Sequence, residues 1–552
     1  MIVRLIKYFK DANWTFLAFL IGVTSIKLQF KIIAIIVYLA YLIYKKVSFT
    51  ILRHPPVRFY LLMPVTGLIG AFLHGAFNGS GYWFGNVLST VIWIMCALSF
   101  GLINTTLLTV EKKKNQKTIE LFFMANAIIC LIELIQMMVV SQHFFPYWYT
   151  ELDYIYGVST GDHLHGIFQD NSTVNAAICL LSIFYFIGIK RYTFAAINMA
   201  ICLLCTSNLT VFILLAAIGL AFFLYDKQRK LVFGSGVLCI ALYLFISPSN
   251  IHYVDRVISK INKQVKNKNS GDVANEHSHN IAIKDTVLLS KKDKISLAAK
   301  IDGDVNNKPI NIAYQPCIIQ HDPFPSDAII KDFAGPITAN LGTTSLYYNE
   351  HIPEDTNALR NVMEKWYGIP YKSLPLSVIT KPGKLMYIKN TISFLKSGTG
   401  HLFFGAGPGN FSSKLAIKMT GFKLQGNYPA RYAIIDRAYF ENTFYVHMFF
   451  WAKSIPDRSI INYPGSVYGQ IAGEYGVFGI LLFLVFYFLY FFKKALIQKQ
   501  KFVLLFAVLL LFFFDYWFEL LNLTILFELL MLMDFETDKE KKTDITEMTV
   551  KS

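Results

Sequence analysis

Residues 84–117 read FGNVLSTVIWIMCALSFGLINTTLLTVEKKKNQK. The stretch 84–108 carries no charged side chain, and Lys112, Lys113, Lys114 and Lys117 follow close behind it. About 20 mostly apolar residues in a helix cross the hydrocarbon core of a bilayer. Lysine and arginine resist translocation and collect on the cytoplasmic side. The segment therefore reads as a membrane span with its C-terminal end in the cytoplasm.

The same grammar repeats along the chain. Apolar segments lie near 9–27, 30–44, 57–77, 84–108, 118–140, 172–189, 192–206, 209–225, 231–247, 472–492, 501–516 and 518–534. Alternate connections carry Arg4/Lys7/Lys10, Lys45/Lys46/Arg53/Arg58, Lys190/Arg191, Lys227/Arg229/Lys230 and Lys493/Lys494/Lys499/Lys501, joined by the tail Lys539/Lys541/Lys542. The opposite short connections hold Lys27 and Lys31 and little else. The pattern predicts an all-helical integral membrane protein of about twelve spans with both termini cytoplasmic. Spans one to nine fill 1–247, a large outward loop fills 248–471, spans ten to twelve fill 472–534, and a cytoplasmic tail fills 535–552. Asp515 and Glu519 mark the turn of the last hairpin, because a carboxylate in hydrocarbon is expensive. No small-residue cleavage pattern follows the first segment, so it reads as a span rather than a removed signal.

Bulk composition agrees. The charged fraction is 16%, against roughly 25% in soluble domains. The net charge of +16 could suggest nucleic acid, but basic cytoplasmic flanks account for much of it, and an anionic inner leaflet attracts such residues. Six of the seven cysteines lie in apolar segments, and Cys317 is alone in the loop, so no disulfide can form within it. The loop begins with a polar, low-complexity part around Lys260–Gly271. Residues 384–397 place Leu385, Ile388, Ile392 and Leu395 at helical spacing. Residues 439–452 form a second, aromatic amphipathic piece.

Several landmarks occur in order. His163, His165, Gly166, Ile167, Phe168, Asp170 and Asn171 precede span six, and Thr206-Ser207-Asn208 turns outside between spans seven and eight. The loop holds Gly405-Ala406-Gly407-Pro408-Gly409-Asn410-Phe411. Span ten opens with Tyr463-Pro464-Gly465-Ser466, Gln470 and Glu474-Tyr475-Gly476-Val477-Phe478-Gly479. This arrangement resembles the bacterial O-antigen polymerase and O-antigen ligase family, over most of the chain. Gly465-Ser466 stand where many members, ligases especially, carry His-Asn, and Ser207-Asn208 stand where many carry Ser-Arg. The first departure favours polymerase over ligase.

The resemblance implies a membrane glycosyltransferase. It would polymerise oligosaccharide repeat units carried on undecaprenyl pyrophosphate at the outer face of the bacterial inner membrane. A flippase and a chain-length regulator would be its partners, besides membrane lipids. The alternatives are a ligase of finished glycans and a transporter of the same lipid-linked sugars. Pyrophosphate is a good leaving group, so the chemistry needs cations and a base for the attacking hydroxyl but no cofactor or metal. Arg431, Arg437, His165, Glu474 and Tyr463 are the expected catalytic residues. Lys384, Lys389, Asn171, Asn208, Gly407, Asn410 and His447 are expected to bind substrate. Glu151/Asp153, Asp302/Asp304 and His277/His279 have spacings that also arise by chance, and they are not expected to hold metal. A loop lysine or arginine is ordinarily a solvated surface charge. Glu474 also suits a helix start, where the dipole favours a carboxylate.

Overall fold

A computed structural model describes residues 10–25, 27–47, 53–77, 79–148, 164–168, 172–225, 229–246, 382–421, 428–452 and 462–533. All belong to one of the two units into which the chain divides, Met1–Asn250 with Cys317–Ser552; Ile251–Pro316 make the other. Asn171, the acidic pairs, His277/His279, Cys317, the low-complexity segment and the C-terminal tail lie outside the described residues.

Among the described residues all regular structure is helical. The first nine apolar segments form α1 (Trp14–Thr24), α2 (Leu28–Tyr44), α3 (Pro55–Leu73), α4 (Ser80–Thr109), α5 (Lys112–Ser141), α6 (Ser172–Gly188), α7 (Tyr192–Leu204), α8 (Asn208–Leu224) and α9 (Arg229–Ile246). Within the loop lie α10 (Gly383–Leu395), α11 (Thr399–Phe404), α12 (Lys414–Met419) and α13 (Tyr445–Ala452). The C-terminal part holds α14 (Val467–Leu482), which continues through a π-helical turn into α15 (Leu489–Ile497), then α16 (Lys499–Phe512), α17 (Trp517–Leu520) and α18 (Asn522–Leu532).

Four helices are long and apolar enough to cross a membrane: α3, α4, α5 and the continuous Val467–Ile497. The others are shorter. At 1.5 Å per residue the 11 residues of α1 reach about half of a hydrocarbon core of roughly 30 Å. The expected span 518–534 is not one helix. It breaks at Leu521, whose φ is 63°.

Buried polar groups explain how that break is tolerated. Lys31 of α2 donates to the Leu520 carbonyl at 2.5 Å and to the Asn522 side chain. It thereby satisfies a carbonyl at the end of α17. α4, α6 and α16 are among the helices that pack round α18. Buried Glu528 accepts from the Tyr60 hydroxyl of α3. Phe59, Tyr60, Trp93, Phe483, Tyr487 and Phe518 interlock beside it with ring centroids 5.2–6.3 Å apart. α6 is buried nearly all round, as an all-apolar helix in a bundle centre must be. By contrast, Phe30, Ile33, Ile36 and Val37 of α2 and Ile128, Leu131, Ile135 and Val139 of α5 are exposed. Such an apolar outer surface suits lipid.

The loop elements dock on one set of helix ends. Gly67, Gly70 and Ala71 of α3 form a flat face against which Phe404, Gly407 and Pro408 lie. A Cβ on Gly67 would meet Pro408 at 2.7 Å, and one on Gly407 would meet Ala71 at 2.6 Å. The amides of Ala406 and Gly407 donate to the Gly473 and Glu474 carbonyls of α14, each at 3.0 Å. The C-terminal end of α3, the N-terminal end of α4, the start of α14 and the end of α16 therefore converge on the loop. Their opposite ends carry Arg58, Lys112–Lys114, Lys493/Lys494 and Lys499/Lys501. Near those ends α1 and α5 are joined by Asn13 N–H to Thr118 Oγ1 at 2.9 Å and by the Lys117–Asp11 ion pair.

Candidate functional site

The glycine element builds the site. Gly405, Gly407 and Gly409 all have positive φ, between 71° and 85°, where a side chain is strained. At Gly407 closeness to α3 adds to that demand. The resulting turn presents Asn410, Ser412 and Ser413 to the start of α14. Asn410 braces the turn by donating to the Ala406 carbonyl at 3.0 Å. Ser413 caps α12, accepting from the Ala416 amide at 2.9 Å.

Facing the turn is Glu474, 1% exposed. The Ser413 hydroxyl and the Gly409 and Ser412 amides are its polar neighbours. Two residues on, Gly476 (φ 64°, ψ −160°) kinks the helix and packs under Phe403 and Phe404. A second carboxylate, Glu519 of α17, is anchored: it accepts from the Leu415 amide at 2.9 Å and from Gln470 Nε2 at 2.8 Å. Its charge reaches Glu474. A buried charge is costly to keep, so Glu474, 1% exposed, is a costly residue beside an anchored partner.

An aromatic wall closes the other side. The ring of His447 lies between the hydroxyls of Tyr439 and Tyr516, 3.3 Å from each. Tyr516 also bonds Ser412 Oγ at 2.7 Å. Burial, then the nearby Lys384 charge, push His447 down to about 3. It is a neutral imidazole with one donor and one acceptor. Tyr463 packs edge-on against it at 5.5 Å, and burial raises this phenol well above its ordinary range.

Lys384 sits within the wall rather than at an opening. It is 4% exposed. Its ammonium donates to the carbonyls of Gly465, Phe513 (3.0 Å) and Phe514 (3.3 Å) and lies over three aromatic rings. A lysine has three donors, and here all three are committed. Burial pushes Lys384 down to about 7, with the Asp515 charge acting the other way. Lys384 thus pins α10 to the turn after α16 and has no donor left for an anion.

The remaining expected residues divide into two groups. Arg431, Arg437 and Lys389 are exposed on the loop surface. Arg431 stacks on Tyr432 at 4.6 Å, and Arg437 pairs with Glu441 at 2.8 Å. His165 and Asn208 lie on the α5–α9 side. His165 precedes a turn held by Gly166 N–H to Glu133 at 3.0 Å and Ile167 N–H to Asn126 at 3.0 Å. A Cβ on Gly166 would strike the Asn126 side chain. Asn208 accepts from the Tyr243 hydroxyl and ties α8 to α9. So Glu474, Tyr463, Lys384, His447, Gly407 and Asn410 are gathered at one place.

Sequence reasoning did not find the neighbouring set His74, His401, Asp436 and Tyr82. His74 Nδ1 lies 3.0 Å from His401 Nε2, and His74 Nε2 lies 3.2 Å from Asp436. The Tyr82 hydroxyl donates to Asp436 at 2.8 Å. No local pattern links these positions; only docking of the loop on α3 and α4 joins them. Family models, curated proteins and solved structures offer no match to this chain.

Proposed function

We propose that this protein polymerises lipid-linked oligosaccharide repeat units as a membrane glycosyltransferase at the outer face of a bacterial inner membrane. In this reading the twelve apolar helical segments cross or line the bilayer, both termini are cytoplasmic, and the loop faces outward. The docking of loop elements on the charge-poor helix ends supports that sidedness, since the basic ends then face the cytoplasm.

The observation that carries the reading is Glu474: a buried carboxylate cradled by the glycine turn, with the Ser413 hydroxyl and the Gly409 and Ser412 amides beside it. It is the base for the acceptor hydroxyl. The proton passes to Glu474, and the acceptor oxygen forms a bond to the anomeric carbon of the donor sugar. The bond from that carbon to polyprenyl pyrophosphate breaks, and the electron pair leaves with the pyrophosphate. In this reading the exposed cations Arg431, Arg437 and Lys389 serve the leaving group. Lys384 is excluded from that task because its donors are used. Acceptor-rich groups such as Glu474, Gln470 and Asn410 suit sugar hydroxyls rather than an anion. Serving a growing chain, the site takes its substrates from a flippase, and a chain-length regulator sets when transfer ends.

Deletion in the native host followed by gel analysis of surface glycans tests this function. Polymerase loss leaves single-repeat products. Undecorated acceptor with accumulated long lipid-linked glycan would instead mean a ligase, and accumulation of inward-facing lipid-linked sugar would mean a transporter.

A further inference from the structure

The row Ser397, His401, His74 and Asp436 is separate from Glu474 and is not used by the transfer step above. It draws on α10, α11, the end of α3 and the stretch before Arg437. Asp436 is 4% exposed and already accepts from the Tyr82 hydroxyl at 2.8 Å and the Ala438 amide at 2.7 Å. His74 Nε2, 3.2 Å away, therefore carries a proton and donates to it. Two hydrogen-bonding patterns are then open to the rest of the row.

In the first, His74 is neutral. Its Nδ1 accepts from His401 Nε2–H across 3.0 Å. His401 Nδ1 then accepts from the Ser397 hydroxyl across 2.9 Å. In the second, the row holds one more proton. His74 donates from both nitrogens, His401 takes the opposite tautomer, and its Nδ1–H donates to Ser397 Oγ. The Ser397 hydroxyl turns to the Phe394 carbonyl, already 2.6 Å away. Every polar atom in the row is satisfied in both patterns. The rings are fixed in place: Phe394 stacks on His401 at 4.5 Å and on Phe411 of the glycine element at 4.7 Å.

We propose that Ser397, His401, His74 and Asp436 form a proton relay, open to the surface, that takes up one proton from solvent and holds it on His74. The Ser397 hydroxyl turns to the Phe394 carbonyl and leaves His401 Nδ1 open to a hydronium ion. The solvent proton goes to His401 Nδ1, which leaves water behind; the His401 Nε2 proton passes to His74 Nδ1, and Asp436 stays a carboxylate facing the imidazolium. Returning the proton reverses both steps. Ser397 is exposed and His401 half-buried, so the entry point is accessible. The charged or titratable groups that face the two rings are Asp436 and Tyr82; Lys396, beside Ser397, is exposed. Burial, and then the His74 charge, hold His401 below the usual histidine range, which leaves the stored proton on His74.

The test is ring-nitrogen NMR of the full chain in nanodiscs with 15N-labelled histidine, followed against pH. The signals are assigned with His74→Asn and His401→Asn. The site predicts uptake of one proton by the pair, with His401 Nδ1 changing from unprotonated to protonated as His74 titrates. Asp436→Asn should lower the His74 midpoint by at least one pH unit, a tenfold change in proton affinity. Ser397→Ala should leave His74 titrating and move only the His401 signals. A His401 tautomer that stays fixed while His74 titrates overturns the relay, as does independent uptake of two protons. Neither outcome depends on whether the protein polymerises glycans.

Discussion

Replacing Lys384 separates a structural pin from a pyrophosphate ligand. Lys384→Met keeps the length and apolar stem of the side chain but removes three donors. The carbonyls of Gly465, Phe513 and Phe514 would each lose a partner in a site where the side chain is 4% exposed. At about 1–3 kcal/mol for each unpaired buried acceptor, the loss is at least about 3 kcal/mol. Scaling from domains of 150–250 residues, that corresponds to a fall in Tm on the order of 5 °C or more. Intrinsic-fluorescence melting of detergent-purified protein measures it. The pH dependence has a defined sign. The folded-state value of about 7 lies below the 10.5 of an exposed lysine, so the cost of burying the charge is full below pH 7. Between pH 7 and 10.5 that cost is progressively relieved. Wild-type Tm should rise relative to Lys384→Met across this window. An unchanged Tm combined with lost activity would refute the pin and return Lys384 to the substrate.

Further consequences follow from the loop and the bundle. Arg431→Ala and Arg437→Ala should shorten the polymer, with transfer slowed by roughly tenfold to a hundredfold for a lost charged hydrogen bond of about 1.5–3 kcal/mol. Protein level and Tm should hold, since both side chains are exposed; wild-type glycan ladders from both variants would discard the basic rim. Gly407→Ala should destabilise by about 2 kcal/mol or more, because positive φ alone costs roughly 1–2 kcal/mol and α3 leaves no room for a Cβ. Gly75→Ala, also at positive φ but with open space around it, should lose only the backbone part, and equal losses would remove the close-approach argument. A reporter fused after Lys114 should read as cytoplasmic and one fused after Thr420 as outward, and a cytoplasmic readout for the second would reverse the proposed sidedness.

Much of the helical layout was legible because it depends on local composition. The uncharged run 84–108 lies inside α4, and the other apolar segments likewise mark helices within a few residues. The break at Leu521 was not legible, since neither glycine nor proline signals it and its support comes from Lys31 on α2. Residues 384–397 show the limit of periodicity. The spacing of Leu385, Ile388 and Ile392 correctly implied α10, but those side chains are exposed, while Lys384, Met386, Tyr387 and Phe394 are buried. The loop's inner face is set by tertiary partners and not by the apolar stripe. The same reason hid the histidine row: His74 is 327 residues from His401 and 362 from Asp436. Glu474 stood out through its glycine-flanked motif, but only the folded loop distinguishes it from anchored Glu519.

The most direct measurement is glycan polymerisation by purified protein in proteoliposomes supplied with lipid-linked repeat units and excess chelator, comparing wild type with Glu474→Gln. Glutamine keeps the shape of the side chain and removes the base. The account predicts a ladder from wild type despite the chelator. It predicts at least a hundredfold slower transfer from Glu474→Gln, the lower end of general-base effects, with undiminished Tm because the amide oxygen of glutamine still accepts from the Ser413 hydroxyl and the Gly409 and Ser412 amides. A ladder from Glu474→Gln at the wild-type rate would contradict it.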